Sequence, residues 1–310
     1  MDKERLENIR KLANNFADRK VRAAARLAEI KGRMWYFAVL GLKTNLEHFD
    51  FDIIAKLQRV IEPPGEVELA AALREKTIFS VVARYSHSIQ YELAVNRDFA
   101  STDQAAFNLA WWITSALRVR TLAEILVPAV SDHSWSTIAG APDGSCHAQL
   151  LEDVPKARRL SEPVEVGRTD FEWVLLYLNR FSELLEVPKF RLAVESLSTH
   201  NFQSSERMMA ATIWAGIEAL FEIQSELRFR LATLVSSSLE PRGEDRRKLY
   251  RRTKALYDVR SKAVHGSPIS DAKIQEHIIE VRHLLSRLLC RFIEIGKVPN
   301  EQELEEFVFC

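Results

Sequence analysis

Arg260 and His265 stand five positions apart in YDVRSKAVHG, residues 257–266, and together they could run proton-coupled chemistry on an anion. Imidazole titrates near neutrality and moves protons, while a guanidinium fork holds a carboxylate or a phosphate through parallel hydrogen bonds. The spacing alone recurs by chance. Helical phase gives it more weight. At about 100° per residue, Arg260 projects within roughly 40° of Leu249 and Leu256, on the apolar side of its helix. A guanidinium there needs a counter-charge, supplied by a neighbouring carboxylate, a facing subunit or the phosphate of a substrate. Glu218 is the natural carboxylate. In that case the pair is structural, and His265 is a helix C-terminal residue favoured by the dipole.

The helix that carries the pair is strongly cationic. Residues 242–262 hold nine basic side chains, Arg242, Arg246, Arg247, Lys248, Arg251, Arg252, Lys254, Arg260 and Lys262, against Glu244, Asp245 and Asp258. Such a tract could track a phosphate backbone, with Tyr250 and Tyr257 stacking on unpaired bases, or it could be a solvated helix face.

Four helices must position this segment. A start at Ser204 or Ser205 followed by Glu206 predicts the first, through Ile223. The second is predicted over Ser225 to Leu239, ending before Pro241-Arg-Gly243, and the third over 244–264, closed by Gly266-Ser-Pro268. The fourth runs from Asp271 to Ile295, with Ile274, Ile278, Val281, Leu285, Leu288, Leu289 and Phe292 on one side. Upstream, Thr169-Asp-Phe-Glu172 fits a capping box opening a helix to about Leu185, and Pro188 suits the first turn of the next.

The first half of the chain also predicts helices. Residues 3–31 have the spacing of a long amphipathic helix. Met34–Leu42 is apolar without clear period and is assigned to helix over strand, and residues 67–95 are assigned to helix with an ambiguous stretch at Ile78–Tyr91. Asp103 is the expected cap of an apolar helix to about Val127, in which Trp111 and Trp112 are expected in the core. Residues 131–168, rich in Ser, Gly, Pro and Asp, are the expected interdomain region. The fold class expected is therefore all-α.

An apolar fraction of 47% over 310 residues supports a real core, and 43 basic against 43 acidic side chains confine any attraction for nucleic acid to a local patch. Cys146, Cys290 and Cys310, odd in number and far apart, fit no disulfide framework. MDKERLENIRK has no secretory character, and Arg118, Arg120 and Glu124 interrupt the most apolar segment. A cytoplasmic protein without a membrane span is expected. Cys146-His147, with Asp143 and His133 nearby, matches no established zinc spacing, so neither metal nor cofactor is expected. His277 and His283, beside Arg282, fit ordinary surface or interface roles. No Walker-type loop, nucleophile elbow or HExxH sequence is present.

Residues 171–295, about 40% of the chain, resemble the HEPN superfamily, and within it the Apea-like HEPN domain of bacterial defence proteins. The matching segments are WAGIEALF (214–221), ELRFRLATLVSSSLE (226–240), RRKLYRRTKALYDVRSKAVHG (246–266) and the closing helix. The family's ribonucleases carry Arg, four to six residues, then His. Arg260 and His265 match, while Ser261 stands where Asn, Asp or His is common. The resemblance implies a four-helix bundle over residues 169–298, with a C-terminal tail at 299–310; it does not reach residues 1–150, which are expected to form a helical domain that senses a trigger or restrains activity. It implies metal-independent endonucleolytic cleavage of RNA, such as tRNA, by the ribose 2′-hydroxyl, in anti-phage defence or as a toxin. Arg260 and His265 would then be catalytic, supported by Ser261 and Glu218, with Arg246, Arg247, Arg251, Arg252, Lys254, Tyr257 and Lys262 on RNA. It further implies a homodimer with a composite cleft, and a regulatory partner. The rival expectation is a non-catalytic HEPN module that binds RNA or a protein.

Overall fold

The computed structural model describes residues 3–30, 33–100, 102–153, 157, 160, 163–223 and 227–309. They fall into two compact units, Met1–Trp111 with Ile125–Val154, and Trp112–Glu124 with Pro155–Cys310. The start of the predicted second helix at Ser225, and Cys310, lie outside the described residues.

The first unit overturns the all-α expectation. Its strands are β1 (Met34–Val39), β2 (His48–Phe51), β3 (Ala55–Arg59), β4 (Tyr91–Asn96), β5 (Ala129–Ser131) and β6 (Ala148–Leu150). They make one sheet in the order β2-β3-β4-β1-β5-β6, antiparallel throughout. The chain is mixed α/β, 61% helical and 11% strand. β1 is central, paired with β4 from Met34↔Asn96 to Val39↔Tyr91 and with β5 through Tyr36↔Ser131 and Phe37↔Val130. Both its faces are covered. Trp35 and Phe37 meet Phe107 edge-on at 5.7 and 5.5 Å, while Tyr36, Ala38 and Leu40 join Leu69, Leu73, Val82, Trp135 and Ile138. A strand buried on both sides shows no apolar–polar alternation, so Met34–Leu42 mimics a buried helix in sequence.

Helix α1 (Lys3–Glu29) is the long helix predicted over 3–31. Short helices α2 (Glu66–Ala72) and α3 (Lys76–Val82) and the strand β4 divide the stretch assigned to helix at 67–95. α4 (Asp103–Thr121) starts under Thr102, whose Oγ1 accepts the Ala105 amide at 3.1 Å. Asp103, the expected cap, instead accepts Trp35 Nε1 at 2.8 Å and Arg97 at 2.9 Å. Trp111 and Trp112 are half-buried. The Ser/Gly/Pro-rich stretch is no linker up to residue 150, because it supplies β5, β6 and the fully buried Trp135. Glu92 on β4, also fully buried, holds this stretch by accepting from Ser134 Oγ (2.7 Å), the Trp135 amide (2.7 Å) and Gln58 Nε2 (2.6 Å).

α1 rests on the turn Ile138–Gly140, and only glycine allows the approach. A Cβ at residue 140 would lie 2.2 Å from the Ala24 amide nitrogen and 2.6 Å from its Cα. Gly140→Ala is expected to destabilise the unit by about 2 kcal/mol or more, because helix backbone must move. The denaturation midpoint should fall and proteolysis within α1 should quicken; an unchanged midpoint would contradict the contact.

The second unit is helical: α5 (Arg168–Leu184), α6 (Pro188–Thr199), α7 (Glu206–Phe221), α8 (Leu227–Leu239), α9 (Glu244–Val264), α10 (Asp271–Ile295) and α11 (Glu301–Phe309). α5 starts from Gly167, whose amide is taken by Asp170 at 3.1 Å, two residues before the predicted capping box. α7 is capped by Ser205 and α6 has Pro188 in its first turn. α6 packs on α7, α8 on α9, and α10 on α7, around Trp214, Ile217, Leu231, Val235, Leu256, Ile278, Val281 and Leu285, all buried. Residues 301–309, expected in a tail, form α11 and pack on α8. Arg282 is 4% exposed and donates to Glu124 Oε1 (3.1 Å) and the Leu122 carbonyl (3.0 Å), beside Ser286 Oγ on the Val119 carbonyl at 2.6 Å. No described helix is long and apolar enough to cross a membrane.

Candidate functional site

The last turn of α9 is shaped by backbone bonds. The His265 amide donates to the Ser261 carbonyl at 3.0 Å, and the Ser267 amide reaches back to the Lys262 carbonyl at 3.0 Å. The reversal needs Gly266, whose φ of 72° lies in the left-handed region. His265 is exposed at the cap. From α7, Arg207 donates to the carbonyls of Lys262 (3.3 Å), Ala263 (2.9 Å) and Ser267 (2.8 Å), tying the end of the helix to the turn that follows it. Sequence reasoning passed over Arg207. Its signal is a cation in the first turn of α7, where the dipole disfavours positive charge.

Arg260 lies on the inward side of α9. Its Nη2 sits 3.0 and 3.1 Å from the two carboxylate oxygens of Glu218, and only Oε2, at 3.1 Å, is placed to accept its proton. The two side chains are 21% and 23% exposed, so the pair is neither sealed nor free. The guanidinium also lies over Tyr257 at 5.5 Å. Burial pushes the Glu218 carboxyl above its ordinary value, against the pull of Arg260. Arg260 Nε is buried and finds no acceptor among the described residues. Neighbouring arginines behave otherwise: Arg228 grips Asp258 with two bonds of 2.6 and 2.7 Å, and Arg252 grips Glu280 likewise. Those forks are complete; that of Arg260 is not. No hydrogen bond joins Arg260 to His265 in the single chain.

Tyr257 stands edge-on to Trp214 at 5.5 Å, and Trp214 donates to His277 Nε2 at 2.9 Å. Burial drives His277 down to about 4, so it is a neutral acceptor in the core rather than the surface group expected from sequence. Tyr257 supports Arg260 and is only partly exposed.

The cationic tract divides. Arg242 donates to the Val308 and Phe309 carbonyls, and Arg246 to those of Glu240 (2.8 Å) and Phe307 (3.0 Å), so both fasten the end of α11. Arg247 meets Glu244 at 3.1 Å and Lys248 meets Asp245 at 3.2 Å, each one turn away. Arg252 is taken by Glu280. Lys254 lies over the Tyr250 ring at 5.2 Å. Arg251 and Lys262 are exposed and keep their side chains clear of any described carboxylate within ion-pair distance. Of the residues expected to meet RNA, then, Arg251, Lys254 and Lys262 retain open charge.

In the other unit the structure regroups the Cys146 neighbourhood. Asp143 is exposed, and His147 pairs with Glu75 at 2.5 Å. Asp132, His133 and Cys146 converge instead. Adjacency along the chain hid this, because cross-strand pairing brings residues 133 and 146 together.

No protein-family model, curated protein or solved structure matches the chain.

Proposed function

We propose that the helical unit is a metal-independent endoribonuclease of the HEPN kind, acting as a homodimer in the cytoplasm, in anti-phage defence or as a toxin. The observation that carries this reading is the incomplete fork of Arg260. Glu218 takes a single hydrogen bond from a guanidinium whose side chain is 21% exposed, and a phosphate oxygen suits the donors left open. Glu218 and Tyr257 orient the guanidinium, and Arg207 fixes the turn that presents His265.

In this chemistry the ribose 2′-hydroxyl attacks the adjacent phosphorus, the 5′-oxygen leaves, and a 2′,3′-cyclic phosphate remains. His265 moves the proton of the attacking or leaving oxygen, and Arg260 meets the charge that builds on the phosphoryl oxygens. A second chain completes the cleft with its own pair. Arg251, Lys254 and Lys262 supply phosphate contacts, and Ser261 lies next to the arginine.

A second reading, a non-catalytic HEPN module that binds RNA or a protein, is favoured by one observation: Glu218 and Tyr257 already meet the charge of Arg260. Incubation with total RNA and tRNA in EDTA separates the two. His265→Ala, at an exposed position, should lower cleavage at least 100-fold with the melting temperature unchanged, and Arg260→Ala should lower it comparably but with some loss of stability, because Glu218 is left without its counter-charge. Fragments from the wild type should end in cyclic phosphate. If the wild type makes no fragments that the variants fail to make, the nuclease reading is overturned. Light scattering tests the composite cleft separately, since a strict monomer at micromolar concentration contradicts it.

A further inference from the structure

We propose that Asp132, His133 and Cys146 bind one zinc-class divalent cation in the sheet-containing unit. One donor atom from each lies within 4.8 Å of the others. The ladder explains the convergence. β5 and β6 pair as Ala129↔Leu150, Val130↔Gln149 and Ser131↔Ala148, and the Asp132 amide on the His147 carbonyl at 3.0 Å carries the register one step further. The next step sets residue 133 against 146. The cysteine backbone is held from its other side, through its amide on the Ala72 carbonyl (2.9 Å) and its carbonyl under the Arg74 amide (2.8 Å).

Hydrogen bonds order these side chains. His133 Nδ1 lies 2.7 Å from Asp132 Oδ1, which also accepts the His147 amide at 2.8 Å. His133's own amide donates to Ser131 Oγ at 3.0 Å. The Asp132 contact fixes the ring, while the carboxylate keeps a second oxygen and the imidazole a second nitrogen to offer an ion. The Cys146 thiol is fully buried, with Ser131 Oγ at 3.2 Å as its polar neighbour.

A soft thiolate, an imidazole and a carboxylate form a donor set that zinc accepts, and three protein ligands leave a fourth position for solvent. Binding releases the thiol proton of Cys146. It also ties together residues 131–133 and 146, next to Ser134 and Trp135 that hold Glu92.

The experiment is a titration of the full-length protein, freed of metal, with Co(II) and then Zn(II). Co(II) should saturate at one equivalent with a thiolate-to-metal charge-transfer band, and Zn(II) should displace it. Cys146→Ser should abolish the band. His133→Ala, at a side chain 18% exposed, should weaken binding about 10-fold or more, which keeps the test open if the buried Cys146→Ser variant does not fold. Zn(II) should raise the melting temperature of the wild type only. A Co(II) complex without a thiolate band, a band that survives in folded Cys146→Ser, or an affinity unmoved by His133→Ala would each overturn the site.

Discussion

Replacing Arg282 by methionine is expected to destabilise the helical unit by about 3–5 kcal/mol, the usual result of removing one member of a buried ion pair. The Arg282 and Glu124 side chains are 5% and 12% exposed. Methionine keeps the bulk of the stem but takes the guanidinium from Glu124 and the donor from the Leu122 carbonyl. The effect should appear as a fall in the urea midpoint with little change of slope. Combining it with Glu124→Leu should recover much of the loss, because an apolar pair carries no desolvation penalty. A single variant as stable as the wild type would show that the pair contributes nothing.

Glu92→Ala is expected to be comparably severe in the sheet unit. It removes the acceptor of the Ser134 hydroxyl, the Trp135 amide and the Gln58 side chain, at about 1–3 kcal/mol for each buried donor that finds no new partner. Its pH dependence is distinctive. Burial outweighs these three donors and raises the Glu92 carboxyl from 4.5 to about 7. The folded state therefore holds this proton where the unfolded state has lost it. The resulting stability is complete below about pH 4.5 and is lost as pH rises through about 7. The Ser134 hydroxyl can turn to accept the proton. Denaturation at pH 5, 6, 7 and 8 should show the variant losing more, relative to wild type, at pH 5 than at pH 8; a gap that widens with pH would refute the assignment.

What sequence conveyed about the fold depended on periodicity. The helices of the second unit each cover one face, so the 3.6-residue period survives in Ile274, Ile278, Val281 and Leu285, and Ser205 and Pro188 mark real starts. The sheet left no such trace. β1 is covered on both sides, and β5 and β6 are three residues each, too short for a pattern to develop inside a Ser- and Gly-rich stretch. Arg260 and Glu218 were legible as a pair because helical phase turned the arginine inward. The open Nε was not legible, since it depends on the angle at which two side chains meet. Arg246 was counted as open charge for a related reason: composition counts a charge without showing that the Glu240 and Phe307 carbonyls take it. Arg282 and Asp132 escaped because their partners are distant in sequence or across a ladder.

The chain enters the helical unit at Trp112, leaves it after Glu124 and returns at Pro155. A fragment beginning at residue 155 would lack the Leu122 carbonyl and the Glu124 carboxylate that Arg282 engages, and the Val119 carbonyl under Ser286. The helical unit is thus nested in the chain rather than appended to it. Any continuous segment that carries the helical unit whole therefore also carries residues 125–154, which belong to the sheet-containing unit.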